Sequence, residues 1–216
     1  MGSQKWLPFF MSYKIVKKLR YSYMKATVTV PTSLDEIKLS EYQDFLKYQE
    51  TAKDQTYLDW KMIEIFCHVD WKDVQKIKVK DADKIITRIV EVFNQKPNLT
   101  LFFKMNGVEY GFHPEIENMT LGEYIDVDTY LPDNANMHSA MNVLYRPVKR
   151  KSVGKYSIRE YNLEDKEKMK EMPLKVVLGA VFFFAEFRNG ITKRYESLFS
   201  GGDRETTSAS AGFGKK

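Results

Sequence analysis

The sequence predicts an α+β fold that is mainly helical, with a β-hairpin and one or two short strands. Three observations carry this. Apolar residues recur at helical spacing in most segments between residues 39 and 198. One stretch, residues 99–112, alternates with a period of two around Asn106-Gly107. The 216 residues are 43% hydrophobic and 29% charged, ordinary globular usage and enough to bury a core.

In chain order, Ala26-Thr-Val-Thr-Val30 alternates and is β-branched, which predicts a short strand ended by Pro31. Leu39, Tyr42, Phe45 and Leu46 then mark a helix, with Ser40 and Gln43 as its capping box, and a break follows at residues 51–55. A second helix carries Leu58, Met62, Ile65, Phe66 and Val69. Trp71, Val74 and Ile77 mark a short turn. Asp81 is the expected N-cap of a long helix whose stripe is Ala82, Ile85, Ile86, Ile89 and Phe93. Pro97-Asn98 closes it.

The hairpin is the clearest local signal. A type I′ turn at Asn106-Gly107 pairs Met105 with Val108, Phe103 with Tyr110 and Leu101 with Phe112 on one face. Lys104 meets Glu109 on the other. Thr120 and Glu123 then form a capping box, and Met137, Ala140, Met141, Leu144 and Tyr145 a helical stripe stopped by Pro147. Lys149-Arg150-Lys151 reads as a basic loop, residues 156–161 as a strand and residues 163–172 as a short charged helix. Pro173 suits the start of a last helix bearing Leu174, Val177, Leu178, Val181, Phe182 and Phe184, with Asn189-Gly190 as a candidate break.

Two stretches echo each other. Residues 34–42 align without a gap on residues 116–124, with Leu39 on Leu121, Glu41 on Glu123 and Tyr42 on Tyr124. Either the body is a diverged internal duplication, or one helix-entry pattern is used twice. The domain reading follows: residues 1–24 a basic aromatic extension, 25–199 a globular body with halves at 25–97 and 98–199, and 200–216 a flexible Gly/Ser-rich tail.

Charge is unevenly placed. The chain has 34 Lys and Arg against 29 Asp and Glu. Lys5, Lys14, Lys17, Lys18, Arg20 and Lys25 lie in the first 25 residues, which hold no acid, so the other 191 residues carry a net charge of −1. A nucleic-acid-binding domain spreads basic charge over a face of its fold, so none is expected from the body. Membrane or nucleic-acid contact is left to residues 1–25. The longest apolar run, residues 176–185, is half of what a transmembrane helix requires and reads as a core helix.

Chemistry is sparse. Cys67 is the one cysteine, which excludes an intramolecular disulfide and fits a reducing compartment. His68, His113 and His138 fall on different elements without metal-ligand spacing. Cys67 and His68, adjacent on a helix, do not face each other. The acids Glu115, Glu117, Glu123, Asp126, Asp128 and Asp133 miss the calcium-loop spacing and read as a solvated face. Arg146 is expected to cap a helix's last carbonyls, with anion binding alongside Lys149, Arg150 and Lys151 as the alternative. A pocket gathering His113, Glu115 and Arg146 would point to an enzyme. No catalytic, cofactor-binding or metal residue is assigned, and no cofactor is expected.

The cadence Leu34-Asp-Glu-Ile-Lys-Leu-Ser-Glu-Tyr-Gln-Asp-Phe45, Ile63-Glu-Ile-Phe-Cys-His-Val69, Trp71-Lys-Asp-Val-Gln-Lys-Ile77 and Val79-Lys-Asp-Ala-Asp-Lys-Ile85 resembles the tail assembly chaperones of tailed bacteriophages. Tyr110-Gly-Phe-His-Pro114, Leu121-Gly-Glu-Tyr-Ile-Asp126 and the segments 137–147 and 172–184 look like uncharacterised phage proteins of similar size. The resemblance spans residues 26–199. It implies a non-enzymatic protein that binds and chaperones a tail component in the host cytoplasm during virion assembly. A structural virion component, a connector or tail-associated subunit, is the alternative. The expected partner is a phage tail or other virion protein, or a second copy of the chain. Ten Met and a surplus of aromatics would suit an adaptable apolar surface.

Overall fold

The computed structural model describes residues 27–200, with side chains through Asn189. The extension at residues 1–24 and all but the first residue of the tail at 200–216 lie outside the described residues. The fold is α+β and mainly helical, as the patterning predicts: among the described residues there are seven α-helices and a four-stranded antiparallel sheet.

The described chain begins without the expected first strand. Residues 27–30 join no ladder, and Val28 and Val30 lie half-buried against the core instead. A β-branched run gains strand structure only where it meets a partner edge, and residues 27–30 pack on the core instead of along one. A 3-10 turn at Leu34–Glu36 leads into α1 (Leu39–Thr51). The expected Ser40–Gln43 capping box is replaced by another. The Glu41 carboxylate accepts from the Lys38 backbone N–H at 2.9 Å, so the helix starts one residue before Ser40. Gln43 is thereby freed for the core.

Asp54 caps α2 (Gln55–Phe66) through the Thr56 N–H at 3.1 Å, and Asp70 caps α3 (Trp71–Val74). α4 (Val79–Phe93) starts two residues ahead of Asp81, which sits in the first turn, where a carboxylate favours the helix dipole. Its stripe faces inward as predicted: Ile89 and Val92 are buried, with Ile85, Ile86 and Phe93 half-buried. Phe66 joins three of these helices, with ring centroids 5.3 Å from Phe45 and 5.1 Å from Phe93.

The hairpin forms in the predicted register. β1 (Phe102–Met105) and β2 (Val108–Phe112) pair Met105 with Val108, Lys104 with Glu109 and Phe103 with Tyr110. Asn106 at φ 50° and Gly107 at φ 76° supply the left-handed pair that a type I′ turn requires. Met105, Tyr110 and Phe112 are buried on the core face, while Leu101 and Val108, at its rim, are exposed.

Thr120 and Glu123 make the predicted capping box at the head of α5 (Leu121–Tyr130). In α6 (Met137–Leu144) every residue is buried. The expectation that this helix runs through Tyr145 is corrected. Tyr145 opens β3 (Tyr145–Ser152), pairing with Phe112, and the basic segment 149–151 is strand, not loop. Pro147 ends the helix by the expected means, but the chain enters a free ladder position beside β2. β4 (Lys155–Ile158) completes the sheet in the order β1-β2-β3-β4. A 3-10 segment, Leu163–Glu171, follows, then α7 (Leu174–Ser200), which passes Asn189-Gly190 without a break.

One core cluster runs from Leu34 to Phe184, so both halves of the chain contribute to a single interior. The two ends are stitched together at its edge. Leu39 N–H donates to the Met172 carbonyl at 2.9 Å, and Leu174 N–H to the Ile37 carbonyl at 2.8 Å. The echo is local. Each copy is a 3-10 turn, then a helix starting at Leu39 or Leu121, with Glu41 or Glu123 accepting from the N-cap backbone N–H at 2.9 Å. Beyond it the order differs, with helices α2–α4 after one copy and α6 then β3 after the other.

Candidate functional site

A concavity lies where α7 crosses the segment after α4. It holds about 560 Å³. Gly179 makes the crossing close: a Cβ added there would stand 2.4 Å from the Asn98 carbonyl oxygen. A mid-helix glycine costs about 1 kcal/mol against alanine, and this contact is its reason. Downstream of the crossing, Phe182 and Phe183 on α7 face Pro97 and Leu99 across the groove. Phe182 is 42% exposed. Phe183 is anchored edge-on to Phe112, centroids 5.5 Å apart, so the groove floor is continuous with the core. Lys96 and Glu186 stand among its lining residues as charges of opposite sign. The wall is therefore apolar with a polar rim, and it gathers no pair of groups suited to acid–base or nucleophilic chemistry.

Arg146 is not a helix cap. It projects from β3 into a buried ion pair with Glu123 on α5, Nη1 to Oε1 at 2.9 Å, both side chains about nine-tenths buried. Burial works against the Glu123 carboxylate. The Thr120 N–H and Oγ1 bonds and the Arg146 charge outweigh it and hold the carboxyl below its usual range. His113 lies close enough to feel both charges. Burial first, then Arg146, pulls its pKa below the ordinary histidine value. Its Nδ1 accepts from the Glu115 backbone N–H at 3.3 Å. His113 thus lies near both Arg146 and Glu115, but Arg146 is buried, His113 half-buried and Glu115 exposed, and none of them lines the groove. Arg146 serves Glu123, and the Glu115 carboxylate accepts from Asn118.

His138 is 4% exposed on α6. Gln43 Nε2 donates to the carbonyls of Asn134 and Ala135, 2.9 Å each, and lies 3.3 Å from His138 Nδ1. The His138 Nε2 faces Glu167 Oε1 at 3.4 Å. This ties α1, α6 and the 3-10 segment together. No sequence pattern links Gln43 to His138; only the fold brings them into contact.

The acidic residues do not form one face. Glu123 pairs with Arg146, Asp126 accepts from Tyr161 at 2.9 Å, Asp128 stands 3.0 Å from Arg188, and Asp133 caps the turn before α6. Glu117 is exposed. Among the described residues no three His, Cys, Asp or Glu side chains are grouped to hold a metal ion. Cys67 is buried at the end of α2, and burial pushes its thiol up to about 11, which leaves it protonated and unreactive at neutral pH. His68 follows at φ 53°, exposed, with Nε2 3.5 Å from Glu41.

A second aromatic surface surrounds Lys61. Its Nζ lies 4.5 Å from the Tyr48 ring centroid and 5.2 Å from that of Trp71, and 2.6 Å from Glu64. Such a cage suits a quaternary ammonium group, but the chain's own lysine fills it.

Among the described residues no helix is long and apolar enough to cross a membrane. Comparison with protein-family models, curated proteins and solved structures finds no match to this chain.

Proposed function

We propose that the protein is a non-enzymatic morphogenesis factor of a tailed bacteriophage, which binds an apolar helical segment of a tail component during virion assembly. The observation that carries the binding role is the groove beside α7, with Phe182 exposed above a floor anchored to the core. One amphipathic helix laid along α7 would set its apolar anchors on Phe182 and Leu99 and its polar flanks toward Lys96 and Glu186. The buried side-chain pairings support the same reading: Arg146 is held by Glu123 through Nη1, with its Nε left unpartnered, and Gln43 bonds to the backbone beside His138. The phage context rests on the sequence resemblance over residues 26–199.

A fluorescein-labelled amphipathic helical peptide, titrated with the protein and read by anisotropy, tests the groove. Saturable binding is expected, weakened about tenfold by Phe182→Asp, the loss of roughly one buried aromatic contact. Equal affinity of the variant refutes the groove. Mass spectrometry of purified virions tests the context. A chaperone is absent from them, whereas a stoichiometric presence assigns the protein to the structural components.

A further inference from the structure

The strand pair β3–β4 extends past the β2 ladder and is held to the hairpin on one face by Tyr156, whose ring lies 4.6 Å from that of Phe102 and whose hydroxyl donates to the Phe112 carbonyl at 2.6 Å. β2 accompanies β3 only from Tyr145 to Pro147. Beyond that point Val148–Ser152 pairs with β4 alone, so the two strands form an arm. Between residues 146 and 159 there are six basic side chains and no acid. Two are engaged: Arg146 with Glu123, and Lys151 with Glu109 at 2.9 Å and the Phe102 ring at 3.7 Å. Lys149, Arg150 and Lys155 are exposed and without an ion pair among the described residues. The helices behave differently. Lys47, Lys76 and Arg88 each face an acid three residues away.

The register decides what the arm presents. Arg150 stands opposite Ser157, and Ser152 opposite Lys155. Residues two apart on a strand share a face, so these four line one side, two cations and two hydroxyls, all exposed. Lys149, exposed, is the extra residue at the register shift between Val148 and Arg150, next in sequence to this face. No carboxylate interrupts the row. At the tip Gly154 turns the chain at φ 72° and Val153 is fully exposed.

A row of cations and hydroxyls without a carboxylate matches an extended chain of phosphates. Arginine binds phosphate bidentately, lysine as a point charge and serine by its O–H. A two-stranded ribbon also has the width that a duplex major groove admits. A membrane is less well matched, because one valine supplies no apolar belt. The near-neutral charge of the body hides the patch, since acids on the helices offset it in the sum.

We propose that the β3–β4 arm binds the phosphate backbone of double-stranded DNA, with Arg150, Lys155, Ser152 and Ser157 as the contacting face and Lys149 beside it. This goes beyond the peptide-binding groove and stands or falls separately from it.

Fluorescence anisotropy with two unrelated short DNA duplexes and the full chain tests it. Both duplexes should bind with similar affinity, because the contacts are to the backbone. Arg150→Gln/Lys155→Gln should weaken binding about tenfold at low salt and reduce the slope of log K against log salt by about two. Lys72→Gln/Lys80→Gln removes two exposed cations from other elements and should leave both quantities unchanged. Both pairs are exposed, and an unchanged melting temperature verifies that each variant is folded. Undiminished affinity in the Arg150/Lys155 variant overturns the proposal, since the basic residues at 1–25 would then account for any binding. An equal loss in the Lys72/Lys80 variant also overturns it, as does a variant-sensitive affinity for phosphatidylserine vesicles with DNA binding unaltered.

Discussion

Glu123 carries two tasks at once: it closes the head of α5 and neutralises a buried guanidinium. Removing either partner of such a pair leaves an uncompensated buried charge, which costs about 3–5 kcal/mol. Arg146→Met should therefore lower stability by about that amount in denaturant unfolding. Glu123→Gln/Arg146→Met should recover a measurable part of it, because no charge is then left behind. Equal losses in the single and double variants would show that the pair is not coupled. His68 shows the opposite economy. Val69 N–H donates to the Glu64 carbonyl at 3.2 Å, closing α2 with a left-handed residue at His68. Glycine is the residue that this position favours, so His68→Gly should stabilise the protein by about 0.5–1 kcal/mol. The exposed pair with Glu41 opposes this only weakly.

Elements here are placed by small residues and by turns as much as by apolar stripes. Gly179→Ala improves the intrinsic helix propensity of α7 and would stabilise an isolated helix. In this fold the added methyl meets the Asn98 carbonyl, a backbone group that cannot swing aside. A net destabilisation of about 1–3 kcal/mol is expected, with the groove widened by displacement of the 96–99 segment. A thermal melt checks the sign, and a rise in melting temperature would mean that the segment yields freely. The hairpin was readable because its determinants are local: the turn dihedrals fix the register, and a one-residue slip would reverse both faces. The segment after α6 was not readable. Lys149-Arg150-Lys151 carries loop composition, and it becomes strand because β2 offers an open edge up to Pro147 and β4 folds back on it.

At the level of the whole molecule, the half-buried His113 and the buried His138 couple stability to pH. Burial lowers the pKa of both His113 and His138 in the folded chain. The unfolded chain then binds more protons than the folded one as pH falls below about 6.5. The stability they contribute is complete above that value and declines on acidification. The depressed carboxyls Glu123 and Asp133 add a further loss at lower pH, below the usual carboxylate range. The melting temperature should fall between pH 7.5 and 5, and His113→Gln/His138→Gln should flatten that decline. A variant with an unaltered slope would place the coupling elsewhere. The class of the fold, the hairpin register, the α5 capping box and the inward stripe of α4 were all determined by the sequence alone. Each is a matter of neighbours within a few residues, whose spacing and dihedral preferences act before any tertiary contact forms. Helix ends at Lys38 and Tyr145, the Gln43–His138 contact, the Glu123–Arg146 pair, the groove at Gly179 and the basic face of the β3–β4 arm were decided only by the tertiary structure. They depend on which distant groups arrive beside them, and burial and strand pairing assign polar residues to partners that no spacing along the chain encodes.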